Sequence, residues 1–322
     1  MGFFRTNSLD VFSALFLIIA GNIYAEDDLT NTQNHKIEVF AEALYWSTNE
    51  TMDWAFTLKS NDNSVKASYK TFEFDWAPGF RVGLGYNMEY DLWDTRAYYT
   101  WFRSKAEEST DGPVTPAFLA ARLSLLEPFS KGKARLGLDY DLLDWDLGRY
   151  FSYKSLDFRP FIGIKGGWIT QSIHSSWNTP DFLGILIVSA TEDLKQNFKG
   201  IGPKGGALGK WYFGNTAWSL IGQLDAGYLW GYWSIKDKYV DNFNTVIRVI
   251  TSDRNFGAFV LHGFMGLGWD YNFKRGRQRM RLKIGYEIED WFNHCQFFTD
   301  ASGSQTNDLI LQGLNFSLNL GF

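Results

Sequence analysis

The residue types from which catalysis or metal binding would be built are few in this chain: four histidines and one cysteine among 322 residues. Of His35, His174, His262 and His294, only His262 falls on the polar side of an alternating stretch, where an enclosed general base could work. A base needs a partner, and neither a Gly-x-Ser-x-Gly elbow nor a local His-Asp arrangement stands near it. His174 and His294 read as loop residues with no second ligand at a metal-binding spacing. Cys295 reads as a free thiol under an outer loop, since a lone cysteine has no internal partner. These residues predict no enzyme, no metal and no cofactor, and an outer-membrane hydrolase built on His262 is the least favoured reading.

Charged side chains carry more signal. Alternation puts Arg81, Arg96, Asp144, Asp146, Arg159, Lys165, Lys204, Asp225, Asp270, Arg281, Lys283, Glu287 and Glu289 on one face of successive segments, opposite apolar and aromatic residues. Their signs nearly balance. Residues of this kind either line a wet pore or pair across a narrow barrel and fill it.

The elements that must position them are strands of period two. Phe80, Val82, Leu84 and Tyr86 alternate with Gly79, Arg81, Gly83 and Gly85 in a stretch read as Thr71 to Tyr86, and Ala97, Tyr99 and Trp101 oppose Arg96, Tyr98 and Thr100. Leu143, Trp145 and Leu147 oppose Asp144 and Asp146, and Phe158, Ile162 and Ile164 oppose Arg159 and Lys165. Trp218 to Tyr232 alternates most cleanly, with Leu224 and Tyr228 on one side and Gln223 and Asp225 on the other. Leu261, Met265 and Leu267 face away from His262 and Asp270, and Leu282, Ile284 and Tyr286 oppose Arg281, Lys283 and Glu287. In the first stretch, Lys36 to Trp46, Glu38 and Glu42 share a face with Phe40 and Leu44, which leaves its orientation open. The last stretch, Asp308 to Phe322, carries Leu314, Phe316, Leu318, Leu320 and Phe322 at alternate positions. It is expected to close the sheet against the first strand, with Phe316, Leu318, Leu320 and Phe322 serving as a signal to barrel-assembly machinery.

Composition agrees. The 14 Trp, 16 Tyr and 28 Phe beside 31 Gly and only 7 Pro suit closely spaced strands with aromatic girdles. Mean hydropathy is −0.24, and past the N-terminus no apolar run is long enough to cross a bilayer as a helix. The net charge of −5 gives no basic footprint, so nucleic acid is not an expected partner. Met1 to Ala25 has the layout of a cleaved secretory signal, with Arg5, an apolar run from Val11 to Ala20, and Ile23-Tyr24-Ala25 before Glu26. The domains expected are thus a signal peptide, 1–25, and an outer-membrane barrel, 26–322.

Short connections fall near residues 87, 154, 214 and 275, and long ones at 47–70, 106–133, 172–195, 234–255 and 293–306. The fold expected is an all-β, antiparallel, up-and-down transmembrane barrel of about ten strands, with short turns toward the periplasm and long loops outside. The apolar segments Phe118 to Leu126 and Phe182 to Val188 leave a count of about 12 to 14 open, though a short loop helix and an infolded loop are preferred for them.

At Trp76-Ala77-Pro78-Gly79-Phe80-Arg81-Val82-Gly83-Leu84-Gly85-Tyr86, followed by Tyr99-Thr100-Trp101-Phe102, the sequence resembles the major outer membrane proteins of Legionella and of environmental chlamydia-like bacteria. The resemblance continues at Leu156-Asp157-Phe158-Arg159-Pro160-Phe161-Ile162-Gly163, at Gly200-Ile201-Gly202-Pro203-Lys204 and at Gly285-Tyr286-Glu287 with Trp291-Phe292-Asn293. These motifs are structural, and the resemblance implies a pore-forming barrel. Chlamydial relatives are rich in cysteine and cross-link their envelopes; with Cys295 alone this chain departs from that pattern.

Together these readings predict a porin of the Gram-negative outer membrane that passes small hydrophilic solutes through a narrow, weakly selective pore. The alternative is a closed structural barrel whose loops make surface or host contacts. Membrane lipid is the expected surrounding, and homo-oligomerisation is left open.

Overall fold

The computed structural model describes residues 36–322 except 62–63, 89–90, 118–128, 180–187, 242–245, 274–277, 300–302 and 305–306. The signal-peptide reading, His35, the segment 118–126, most of the segment 182–188 and the basic turn at 274–277 lie outside the described residues.

Strand β1 (Ile37–Asn49) opens the chain, followed by a hairpin of β2 (Asp53–Asn61) and β3 (Ser64–Thr71). Then come β4 (Ala77–Asn87), β5 (Trp93–Pro116), β6 (Phe129–Arg149), the short β7 (Phe151–Tyr153) and β8 (Leu156–Thr179). They are followed by β9 (Val188–Tyr212), β10 (Trp218–Asp241), β11 (Val246–Phe273) and β12 (Gln278–Cys295). After the two-residue strands β13 (Phe298–Thr299) and β14 (Gly303–Ser304), β15 (Asn307–Gly321) completes the sheet.

Ten of these, β1, β4, β5, β6, β8, β9, β10, β11, β12 and β15, pair antiparallel in a closed ring. Closure leaves no edge, which is what a bilayer demands of strands. The ring is sealed by β1 and β15 in register from Glu38↔Gly321 to Asn49↔Ile310. Phe322 N–H donates to Ile37 O at 2.9 Å, and Lys36 N–H donates to Phe322 O at 2.9 Å. The expected strand count and closure hold.

The turns follow from local chemistry. Gly214 has φ +58° and Lys154 φ +53°, left-handed conformations that let two strands reverse in a few residues. At Gly83 the constraint is space, because a Cβ there would lie 2.0 Å from the Phe40 ring.

Outward residues form a belt. Leu224, Ile162, Met265, Leu84 and Leu282 are exposed on the outer face, and Tyr45, Trp168, Trp230, Tyr232, Tyr286, Trp211, Trp218 and Phe322 mark its two rims. About ten residues of a tilted strand cross a bilayer. β1 and β4 have 13 and 11 residues, whereas β5, β8, β9, β10 and β11 have 24 to 28, so the sheet continues as a collar that is tall on one side.

This corrects the reading of the long connections. Residues 106–116 and 129–133, 172–179 and 188–195, and 234–241 and 246–255 are paired strand, and 47–70 contains the β2–β3 hairpin. Above the belt the outward residues are polar, so the apolar-out signal ends while the hydrogen-bonded ladder goes on. The strand read from Thr71 begins at Ala77, just before Pro78.

Candidate functional site

The candidate site is the barrel interior, and it has three levels. The lowest lies within the membrane belt. All thirteen of the charged residues predicted to face inward do so, at buried or half-buried positions. They do not stand free in water.

Arg81 on β4 donates to Glu42 of β1 at 2.8 Å and to Glu287 of β12 at 2.7 Å. Glu42 also receives Lys283 at 3.0 Å, and Asn315 of β15 donates to both Glu42 (2.8 Å) and Glu287 (2.6 Å). Lys165 reaches Glu289 at 2.7 Å, and Lys204 reaches Asp144 at 2.9 Å. Toward the periplasm, Arg159 is held by Asp94 (2.7 Å) and Asp146 (2.5 Å), and Arg96 shares Asp94 at 2.8 Å. Asp270 gathers Arg279 (2.7 Å), Arg281 (2.8 Å) and Lys210.

Arg281 and Lys283, and after them Glu287 and Glu289, stand on one face of β12, and each is paired with a charge from another strand. Desolvating an ion costs several kcal/mol, so buried ions persist when partners surround them. A cavity of about 110 Å³ remains amid these groups, lined by Arg81, Lys165, Lys204, Asp225, Glu287 and neighbours. That is room for a few waters.

His262 is the residue that an enzyme would use. Its Nδ1 lies 2.7 Å from Asp225 and its Nε2 2.8 Å from Glu287. A carboxylate at each nitrogen suits an imidazolium that donates from both, a form that has no lone pair with which to take a proton from a substrate. The geometry makes His262 a bridge between ion pairs.

The second level is apolar. Leu44, Trp46, Phe102, Leu138, Tyr140, Leu142, Ile169, Phe198, Leu229, Trp233, Val260, Trp291, Leu309 and Leu311 form one buried cluster, with Ala77 packed against it. Every strand of the ring contributes. Trp46, Phe102, Tyr140, Trp233 and Trp291 are each 0% exposed, which for side chains that point into the lumen means that the cross-section is filled. Trp291 Nε1 donates to Tyr140 Oη at 3.1 Å and Trp233 Nε1 to His294 O at 3.4 Å, whereas Trp46 Nε1 is buried with no hydrogen-bond partner among the described residues.

The third level fills the collar. Met52, Trp54 and Phe72, from the base of the β2–β3 hairpin, pack with Phe129, Leu136, Ile173, Trp177 and Leu194. The hairpin reaches the ring through Ala55↔Pro116 and Phe56↔Thr115. Between the two apolar levels, outside the membrane belt, lies a polar seam. Gln171 donates to Glu50 at 2.5 Å, Gln196 donates to Gln171 at 2.9 Å and to His294 O at 2.9 Å. Burial pushes the Glu50 carboxyl up to about 7 and the Cys295 thiol upward, and it pushes His294 down to about 3.

Two expectations are corrected here. His174 and Cys295 are not loop residues: His174 is an outward residue of β8, 2.6 Å from Asp193, and Cys295 ends β12 as a buried free thiol. His294 is likewise within β12 and fully buried against Phe198, Trp233 and Trp291. Glu38, Glu42, Asp94, Lys210, Arg279 and Asn315 are interior residues that the sequence reading did not name as such. Lys210 follows Lys204 at an even spacing on β9, and Asp94 precedes Arg96 by two on β5, so alternation could have found both. Among the described residues no cluster of three metal-ligating side chains occurs.

A closed antiparallel sheet with an apolar belt outside and ion pairs inside defines a transmembrane β-barrel of the outer-membrane class. The chain belongs to the family described as Legionella pneumophila major outer membrane protein precursor, whose model matches residues 30–322. No curated protein matches it. Solved structures similar to it include the outer membrane protease OmpT from Escherichia coli, at 11% identity and a TM-score of 0.41 over 93% of this chain and 99% of that one. A major outer membrane protein from Thermus thermophilus is 10% identical with a TM-score of 0.29 over 89% and 98%, and an outer membrane channel from Pseudomonas putida is 9% identical with a TM-score of 0.30 over 92% and 98%. At these scores none of them carries an argument about function.

Proposed function

We propose that this protein is an outer-membrane barrel closed to passive diffusion in the conformation described, with its extracellular collar as the working surface. It is not an enzyme in this reading. The observation that carries it is the apolar layer around Trp46, Phe102, Phe198, Trp233 and Trp291, to which every strand of the ring contributes. Hydrophilic solutes do not cross an apolar, close-packed layer without displacing it. Below it, cross-lumen pairs such as Arg81–Glu287 and Lys165–Glu289 are satisfied by one another, which suits a structural interior better than a conduit.

One observation favours the porin reading instead. The membrane-level cavity is lined mainly by charged residues and has room for water. In that reading the apolar layer is a gate, and small hydrophilic solutes pass when it parts. Swelling of liposomes that contain the refolded protein, in a small sugar, separates the two. A closed barrel gives no swelling above protein-free liposomes, and swelling that rises further in Trp233→Ala would establish the gated pore.

A further inference from the structure

Outside the ring, just above the belt, the charges of the collar are handled differently on its two flanks. On β5 and β6 the outward cations of the collar have an acid, Lys105 excepted: Arg103 with Asp139 at 3.0 Å, Lys131 with Asp111 at 3.3 Å, and Lys133 and Arg135 with Glu107 at 2.5 and 2.8 Å. On β9 and β10, Lys195, Lys199, Lys236 and Lys238 are exposed and outward, and among the described residues none has an ion-pair or hydrogen-bond partner. Lys195 stands directly opposite Lys236 in the ladder. Like charges so placed repel. Two acids lie nearby, Asp193, opposite Lys238 in the ladder and 2.6 Å from His174, and Asp253, which accepts from the Tyr232 hydroxyl, so the four lysines still leave this face net positive.

Their height is fixed by the aromatic rim. Lys199 is in register with Trp168 of β8 and Tyr232 of β10, exposed rings at the upper edge of the belt. Lys195 and Lys236 are four residues farther along their strands, about 10 Å higher along the membrane normal for strands tilted near 40°. That is the depth of a lipid headgroup layer.

We propose that this face of β9 and β10 binds the phosphates of an anionic glycolipid in the surrounding leaflet. Trp168, Ile201 and Trp230 below offer acyl chains an apolar bed, and the four ammonium groups above supply the charge that a multiply phosphorylated headgroup lacks. A lipid is favoured over a soluble polyanion because the lysines begin at the aromatic rim instead of at the tip of the collar.

The test uses the refolded full chain in neutral micelles doped with a bis-phosphorylated glycolipid or with the same glycolipid after phosphatase treatment, with retained lipid read by native mass spectrometry. Wild type is expected to keep the phosphorylated form, to lose it as salt rises, and to keep little of the dephosphorylated form. Changing Lys195, Lys199, Lys236 and Lys238 together to Gln should weaken retention by about tenfold or more. Changing the acid-paired Lys131 and Lys133 to Gln should leave it unchanged. If the fourfold variant does not assemble, Lys195→Gln with Lys236→Gln is read instead, with an expected loss of about threefold or more. Equal retention by variant and wild type, or equal retention of both glycolipids, overturns the proposal. Displacement of the lipid by a sulfated polysaccharide at matched charge also overturns it and makes the face a site for soluble polyanions.

Discussion

Arg81 and Glu287 are 206 positions apart in the chain, yet their side chains meet at 2.7 Å inside the barrel, across the two strands β1 and β15 that lie between β4 and β12. The same guanidinium holds Glu42, so one cation secures two carboxylates from different strands. Arg81→Met would leave those carboxylates facing each other without it. The variant should lose about 3–5 kcal/mol in urea unfolding of the refolded barrel. A loss below about 1 kcal/mol would show that these groups are solvated as in a wet pore.

Leu224 and Gln223 are adjacent on β10 and face opposite media. Leu224 is 61% exposed on the lipid belt, and Gln223 donates to Asp225 at 2.9 Å inside. Leu224→Arg should cost about 2–4 kcal/mol near mid-membrane, whereas Gln223→Arg, placed beside a carboxylate, should cost about 1 kcal/mol or less. Equal costs in the same unfolding assay would reverse the face assignment.

The polar seam should give a pH signature. Glu50 binds its proton more tightly in the folded state, so its contribution to stability falls as pH rises from 4.5 to about 7 and is flat above that. The size is about 3 kcal/mol. His294 acts the other way, since its folded-state proton affinity is depressed from 6.5 to about 3 and stability is lost as pH drops through that range. The two overlap between pH 4.5 and 6.5, where wild type should change little. In Glu50→Gln the rise due to His294 should emerge over that interval. Parallel curves for the two proteins would mean that Glu50 is hydrated.

Closure of the ring depends on β15 meeting β1. Phe322 exchanges backbone hydrogen bonds with Lys36 and Ile37, and its ring faces lipid. Removing Phe322 should lower the heat-modifiable, membrane-inserted fraction on gels, as expected if Phe316, Leu318, Leu320 and Phe322 also guide assembly. Undiminished insertion would remove that role.

Strand number, closure and the inward direction of all thirteen named charges were legible because one face meets lipid and the other does not, and period-two alternation records that boundary. Glu38 and Glu42 resisted reading for the opposite reason. They share the inward face with Phe40 and Leu44, and inside a filled barrel polar and apolar side chains both find partners, so neither type marks the face. The collar was read as loops because Lys131, Lys133 and Arg135 meet water on its outer side, which erases the lipid signal without ending the strand. The apolar layer was not legible at all. Trp46, Phe102, Tyr140, Trp233 and Trp291 come from five strands, and only the three-dimensional closure of the sheet brings them to one level.

Current through single barrels in a planar bilayer tests the central claim most directly. Refolded wild-type protein that is heat-modifiable, and therefore assembled, should insert without producing steady conductance steps at moderate voltage. Uniform, reproducible steps from wild type, with a reversal potential that shifts toward cations when Arg281 and Lys283 are both changed to Gln, would contradict the closed barrel. They would establish the ion-lined lumen as an open pore.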